Sequence, residues 1–176
     1  METKPILDVA CGGKMFYFDK EDPRVLFCDI REFETTLCDG RYFSVKPDII
    51  ADFTSLPFAD NSFKIVVFDP PHLLRKTGRK GKMGVYYGSL HPDDYPTGYQ
   101  TIKYGALYKD WREMLQKGFA ECFRVLVSGG VLIFKWSEVD VKVSEILKLT
   151  TYRPIIGHKS GKANKTHWIT FMKEES

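Results

Sequence analysis

Four acids stand where short apolar runs stop: Asp8, Asp29, Asp52 and Asp69. The fourth is followed by Pro70, Pro71 and His72. That order could handle a poor nucleophile. An amino group conjugated to a ring or a carbonyl has its lone pair delocalised and attacks weakly. A carboxylate accepting one of its N–H bonds, with a backbone carbonyl accepting the other, pulls the nitrogen toward a tetrahedral shape and aims the lone pair. Asp69 and the Pro70 carbonyl could form such a clamp, and Pro71 would stiffen it because its ring fixes φ. The same three residues could equally be a turn that leaves a strand, and a lone strand-end acid is often a cap or turn residue. Their neighbours decide between these.

The first acid opens the stretch Asp8-Val9-Ala10-Cys11-Gly12-Gly13. An apolar strand, an acid and then small residues make the first strand-to-helix turn of a nucleotide-binding sheet. Small residues allow close backbone approach to a ligand. The stretch matches neither GxGxxG nor GxxxxGK[ST], so a ligand without a pyrophosphate is expected. Cys11 reads as packing or as part of the pocket wall. Asp29 follows about 20 residues later, where an acid can accept hydrogen bonds from both hydroxyls of a ribose. Asp52 and Phe53 end a third strand. Three strand ends in order, each with an acid at the same edge of a parallel sheet, favour ligand binding over three unrelated caps.

The elements that would carry these residues are short. Pro5–Val9, Val25–Cys28, Asp48–Ala51, Ile65–Phe68 and Val131–Trp136 are apolar runs without polar alternation, the pattern of strands covered on both faces. Arg153–Gly157 and His167–Met172 read as two further strands. A helix is predicted over Tyr104–Val127, with Leu107, Trp111, Leu115, Phe119, Cys122, Phe123 and Leu126 on one face. Ser128-Gly129-Gly130 should end it. A second helix is expected over Val139–Leu149. Strands alternating with helices indicate an α/β sandwich with a mostly parallel sheet and an antiparallel strand near the C-terminus.

Residues 73–103 break the rhythm, with five glycines and no periodicity. Arg75, Lys76, Arg79, Lys80 and Lys82 crowd the front half, and Tyr86, Tyr87, Tyr95 and Tyr99 the back half. Such a segment suits an inserted, flexible substrate loop or a solvated lid. Basic side chains there could meet phosphates and tyrosines could stack on unpaired bases. A second basic stretch, His158 to Lys162 with Lys165 and His167, is either a charged turn or part of the same rim.

Bulk composition excludes more than it assigns. The 176 residues allow one domain, 1–176, with a full core; 43% are hydrophobic and 28% charged, and the net charge is +3. That charge is too small to name a partner by itself. No apolar run approaches a membrane span, and the first residues lack the features of a signal peptide, so a cytoplasmic protein without a membrane partner is expected. Cys11, Cys28, Cys38 and Cys122 show no CxxC pair. His72 has no neighbours at ligand spacing beyond Asp69, and no metal is expected.

From Ile6 to Trp136 the chain resembles the class I S-adenosylmethionine-dependent methyltransferases, through its first motif, the acid at Asp29 and the run from Ala51 to Phe63. Asp69-Pro70-Pro71-His72 resembles the [D/N/S]PP[Y/F/W] signature of the amino-nitrogen branch, whose best-known members act on adenine. The resemblance implies a Rossmann-like methyltransferase sandwich with S-adenosylmethionine as cofactor. Asp8, Ala10, Cys11, Gly12 and Gly13 would line its methionine part. Asp29 and Ile30 would hold the ribose and the adenine edge, Asp52 and Phe53 the adenine itself, and Asp69 would border both ligands. Asp69, Pro70, Pro71 and His72 would be catalytic, with His72, Arg75, Lys76, Tyr86 and Tyr87 on the substrate. His72 departs from the usual aromatic residue, since imidazole stacks with less area. The expected acceptor is adenine in DNA or RNA. The alternatives are guanine, cytosine or a protein glutamine, or a catalytically silent adenosyl-binding subunit. No separate recognition domain is evident, so sequence specificity would require a partner.

Overall fold

A computed structural model describes residues 4–37, 40–74, 105–107, 109–161 and 165–174. Strand β1 (Ile6–Asp8) lies between β2 (Val25–Asp29) and β6 (Phe63–Phe68), parallel to both. Beyond β2 comes β5 (Ile49–Ile50), and beyond β6 comes β7 (Leu126–Ser137), again parallel. The last two strands, β8 (Pro154–Ser160) and β9 (Thr166–Met172), are antiparallel, with β9 against β7 and β8 at the edge. The order is β5-β2-β1-β6-β7-β9-β8. It is the mostly parallel sheet with an antiparallel C-terminal pair that the sequence indicated.

Register fixes where the site can be. Asp8 pairs with Phe27 and Val67, and Phe68 pairs with Phe134, so the carboxyl ends of β1, β2, β6 and β7 emerge together. Because β9 runs back, Thr166 lies opposite Ser137 and Ser160, which returns these residues to the same edge.

Helix α1 (Trp111–Val125) buries Trp111, Leu115, Phe119, Cys122 and Phe123 on its apolar face. The Phe119 ring meets Phe68, Phe134 and Phe171 at centroid distances of 5.5, 4.9 and 6.1 Å. Burial of one such ring stabilises the fold by roughly 1.5–3 kcal/mol. The helix starts later than Tyr104–Val127 predicted and stops at Val125, because Leu126 already turns extended to pair with Phe63. Ser128-Gly129-Gly130 therefore lies inside β7, where the register shifts and the Gly129 N–H donates to the Lys173 carbonyl.

The second helix is also shorter than Val139–Leu149. Helix α2 spans Val143–Ile146 and is followed by a 3-10 turn, Leu147–Leu149. The chain before it is held elsewhere: the Val141 carbonyl accepts the indole N–H of buried Trp136, and Glu138 accepts the Val143 N–H. A hairpin that the sequence reading did not contain, β3 (Phe33–Thr36) and β4 (Tyr42–Val45), buries Leu37, Phe43 and Val45 in a small core of its own.

Coverage on both faces holds for the centre of the sheet and fails toward β7 and β9. Leu132, Phe134, Trp136, Ile169 and Phe171 are buried under the helices, while the residues between them are only half-buried. The 9–24 segment, which would cover the other face, forms turns rather than a helix. It covers that face with single rings: Tyr17 packs on Phe27 and Phe16 on Trp168. Cys28 and Cys122 are fully buried. Among the described residues no helix is long and apolar enough to cross a membrane. Of the 73–103 segment, Leu73 and Leu74 are described, and the rest lies outside the described residues.

Candidate active site

At the shared strand edge lies a cleft of about 280 Å³. Its walls include Ala10, Cys11, Gly12 and Gly13 from the first turn, Asp29 and Ile30 from the end of β2, and Phe53 from the turn after β5. Asp69, Pro70, Pro71 and His72 form the wall at the end of β6. The cleft thus gathers most of the residues singled out in the sequence. It excludes two of them, Asp8 and Asp52. Arg75, Lys76, Tyr86 and Tyr87 lie outside the described residues.

Asp8 sits beneath the cleft, 1% exposed. One of its oxygens accepts the Ala10 N–H at 3.1 Å and the other the Tyr17 hydroxyl at 2.9 Å. Burial pushes its carboxyl up to about 7 against the pull of those two bonds, and the negative charges of Asp69 and Asp29 add to the rise. Its work is to shape the turn rather than to line the cleft. Asp52 is exposed and accepts the Thr54 N–H at 2.8 Å, so it caps a turn. The adjoining Phe53 does reach the cleft, packed edge-on against Phe68 with centroids 5.1 Å apart. Arg124 on α1 holds that segment by donating to the Leu56 and Phe58 carbonyls, while Glu121 accepts the Leu56 N–H.

The glycine pair serves two different needs. Gly12 has φ +48°, where side chains are strained, and its N–H donates to Asp29 Oδ2 at 2.9 Å. At Gly13 a Cβ would stand 2.7 Å from the Phe43 ring, so this glycine admits the hairpin while also lining the cleft. Asp29 itself is 4% exposed. Its Oδ1 accepts the Arg31 backbone N–H at 2.9 Å and Arg31 Nε at 3.1 Å. Cys11 lines the cleft, and burial raises its thiol well above the ordinary range, so it is no thiolate nucleophile.

At the end of β6 the electrostatics differ. Asp69 Oδ2 accepts Lys135 Nζ at 2.9 Å, with the two side chains 20% and 17% exposed. Burial raises the Asp69 carboxyl, and the charge and hydrogen bond of Lys135 oppose the rise. Among the described residues no donor reaches its Oδ1. Burial, followed by the charge of Lys135, lowers His72 to about 4, so it is neutral at pH 7. Its ring meets the edge of Trp136 at 6.4 Å, and Trp136 belongs to the core. Beyond it the Leu74 N–H donates to Asp140, and the Leu107 N–H donates to the Leu73 carbonyl, which tethers the exit of the clamp segment.

Val9, Met15 and Arg31 line the cleft without having been expected there. For Arg31 a signal existed, a base two positions after a strand-end acid. For Met15 there was none. Phe16 and Lys135 are wall residues as well.

No family model matches the chain, and no curated protein resembles it in sequence. Solved structures resemble it in fold. The PH0226 protein from Pyrococcus horikoshii OT3 is 15% identical with a TM-score of 0.57, over 96% of this chain and 81% of that one. A SAM-dependent methyltransferase from Methanosarcina mazei is 13% identical with a TM-score of 0.54, over 100% and 95%. The N-methyltransferase NodS from Bradyrhizobium japonicum WM9 is 11% identical with a TM-score of 0.51, over 97% and 85%. The chain has the Rossmann-like methyltransferase fold, and at these identities the likeness concerns the fold alone.

Proposed function

We propose that this protein is an S-adenosylmethionine-dependent methyltransferase acting on an exocyclic amino nitrogen, with adenine in DNA or RNA as the leading acceptor. The observation that carries the reading is Asp69: a carboxylate at the cleft wall, one oxygen held by Lys135 and the other without a donor among the described residues, followed at once by Pro70 and Pro71.

The residues present fit an adenosyl ligand. Asp29 is buried at the end of β2 and lines the cleft, and a ribose diol would take the acceptor positions that the Arg31 guanidinium holds at 3.1 and 3.4 Å. Ile30 and Phe53 offer apolar surface beside it. When bound, the cofactor supplies an electrophilic methyl group on sulfur, which the acceptor nitrogen takes with its lone pair while the C–S pair stays with sulfur. Asp69 Oδ1 accepts one N–H of the acceptor and then the proton that the methylated nitrogen sheds, passing it to solvent. The Pro70 carbonyl takes the other N–H. Alignment is the main contribution of the clamp. Neutral His72 faces the acceptor as a flat surface that carries no charge near the transferred methyl.

Nucleic acid as the acceptor is supported by the Asp-Pro-Pro clamp and by the register of β8 and β9, which brings His158, Lys159 and Lys165 to the cleft edge of the sheet. A specificity partner belongs to the same reading, since none of the described elements is a separate recognition unit.

The test is incubation with methyl-labelled S-adenosylmethionine and, separately, DNA, RNA and total protein. Label in DNA or RNA, released as N6-methyladenine on digestion, is the expected result. Label in another base or in protein would move the acceptor within the same chemistry. Tight binding of S-adenosylhomocysteine with label in no acceptor would reduce the protein to a silent adenosyl-binding subunit.

A further inference from the structure

The sequence signature ends at His72, yet the carboxylate it contains is held by a residue 66 positions away. The register of β6 and β7 explains the meeting. Phe68 pairs with Phe134, so the next residues, Asp69 and Lys135, leave adjacent strand ends toward the cleft while the two phenylalanines enter the core. Strand β7 keeps this alternation on both sides: Leu132, Phe134 and Trp136 are fully buried, and Lys135 between them points the other way. A second contact steadies the lysine, because Nζ lies 4.8 Å from the centre of the Phe16 ring. Phe16 in turn packs edge-on against Trp168, the cross-strand partner of Lys135, at 4.7 Å. Carboxylate, ring and sheet together therefore fix the ammonium.

We propose that Lys135 is a positioning residue for methyl transfer, which holds Oδ2 of Asp69, sets the plane of the carboxylate and supplies its counter-charge, so that Oδ1 is presented to the acceptor nitrogen. The proposal rests on the reading of Asp69 as the acceptor clamp. A plain structural ion pair is the competing account, but a half-buried pair adds little to stability compared with apolar side chains of the same size. Its position on the cleft wall is also where a structural pair would be least useful. The charges around Asp69 make the need concrete. Asp8 lies near it on β1 and is itself raised by the Asp69 charge, His72 on its own segment is neutral, and Lys135 from β7 is the cation facing it among the described residues. Arg31, the other cation of the cleft wall, is engaged with Asp29.

The experiment follows the Asp69 carboxyl by carbon-13 NMR as pH is changed, with Asp69→Asn to assign its signal. It compares the wild type with Lys135→Met, Lys135→Gln and Lys135→Arg. Each variant's fold is checked by thermal unfolding, and the glutamine variant serves if the methionine variant does not fold. The expected result is an Asp69 signal that titrates at higher pH without the charge and near the wild-type pH with arginine. The acid limb of kcat/KM should move upward with it, while affinity for S-adenosylhomocysteine stays within about twofold. An Asp69 signal that titrates at the same pH in all four proteins would overturn the proposal. So would a moved signal with an unmoved acid limb. A clamp reading that fails by itself is recognised differently: Asp69→Asn would then transfer methyl groups at the wild-type rate whatever Lys135 does.

Discussion

Asp29 and Asp69 end the strands on the two sides of β1 and face one cleft, yet they are partnered in opposite ways. Asp29 receives N–H groups from Gly12 and from both the backbone and side chain of Arg31, all within its own half of the site. Asp69 receives one ammonium from β7, and among the described residues no donor reaches its other oxygen. A carboxylate met by two backbone N–H groups and a neighbouring guanidinium is fixed in place before any ligand arrives. One with a single side-chain partner and an open lone pair is built to engage a guest. Under the proposed function the difference separates a half that binds from a half that reacts, and substitutions should respect the boundary.

The largest effect on binding is expected at Asp29. Asp29→Ala removes the anchor of Gly12 and leaves Arg31 without its partner, so affinity for S-adenosylhomocysteine should fall by about 100-fold, on the order of 3 kcal/mol, in a calorimetric titration. His72→Ala belongs to the other half and should lower kcat by about tenfold with cofactor affinity unchanged; equal losses in both would blur the boundary.

Asp8 tests the floor common to both halves. Its native carboxyl, near 7, lies above the unfolded value of about 3.9, so the native state binds the extra proton between those limits. Stability that this group contributes below about pH 4 is then lost as the pH rises through 7. Asp8→Asn should flatten that part of the curve of unfolding free energy against pH, a change of a few kcal/mol at most; an unchanged slope would place the charge elsewhere. The smallest effect is expected at Asp52, where Asp52→Ala removes an exposed cap worth about 1 kcal/mol and should leave cofactor affinity alone.

Much of this site could be read in the sequence because strand ends are local events. A parallel strand places its last residue at one edge of the sheet whatever follows, so Asp29, Gly12, Phe53 and the Asp69 segment were visible one motif at a time. What stayed hidden depends on contacts distant in the chain. Lys135 meets Asp69 through the β6–β7 register, and Gly13 is small because of Phe43 on a hairpin whose strands are only four residues each. Asp8 and Asp52 lie off the cleft wall. Each stands at a strand end as the pattern asks, but a tyrosine hydroxyl claims one and a backbone turn claims the other. Helix lengths were overstated for a similar reason: apolar spacing continues past Val125, whereas pairing of Leu126 with Phe63 ends the helix there.

The central claim is that Asp69 acts on the acceptor and not on the cofactor. Asp69→Asn keeps the size of the side chain and removes its charge, so single-turnover methyl transfer and S-adenosylhomocysteine affinity should be measured on the same preparation. The account predicts a loss of transfer of about a thousandfold or more, with affinity within about threefold of the wild type. Retained transfer, or a loss of affinity that matches the loss of rate, would contradict it.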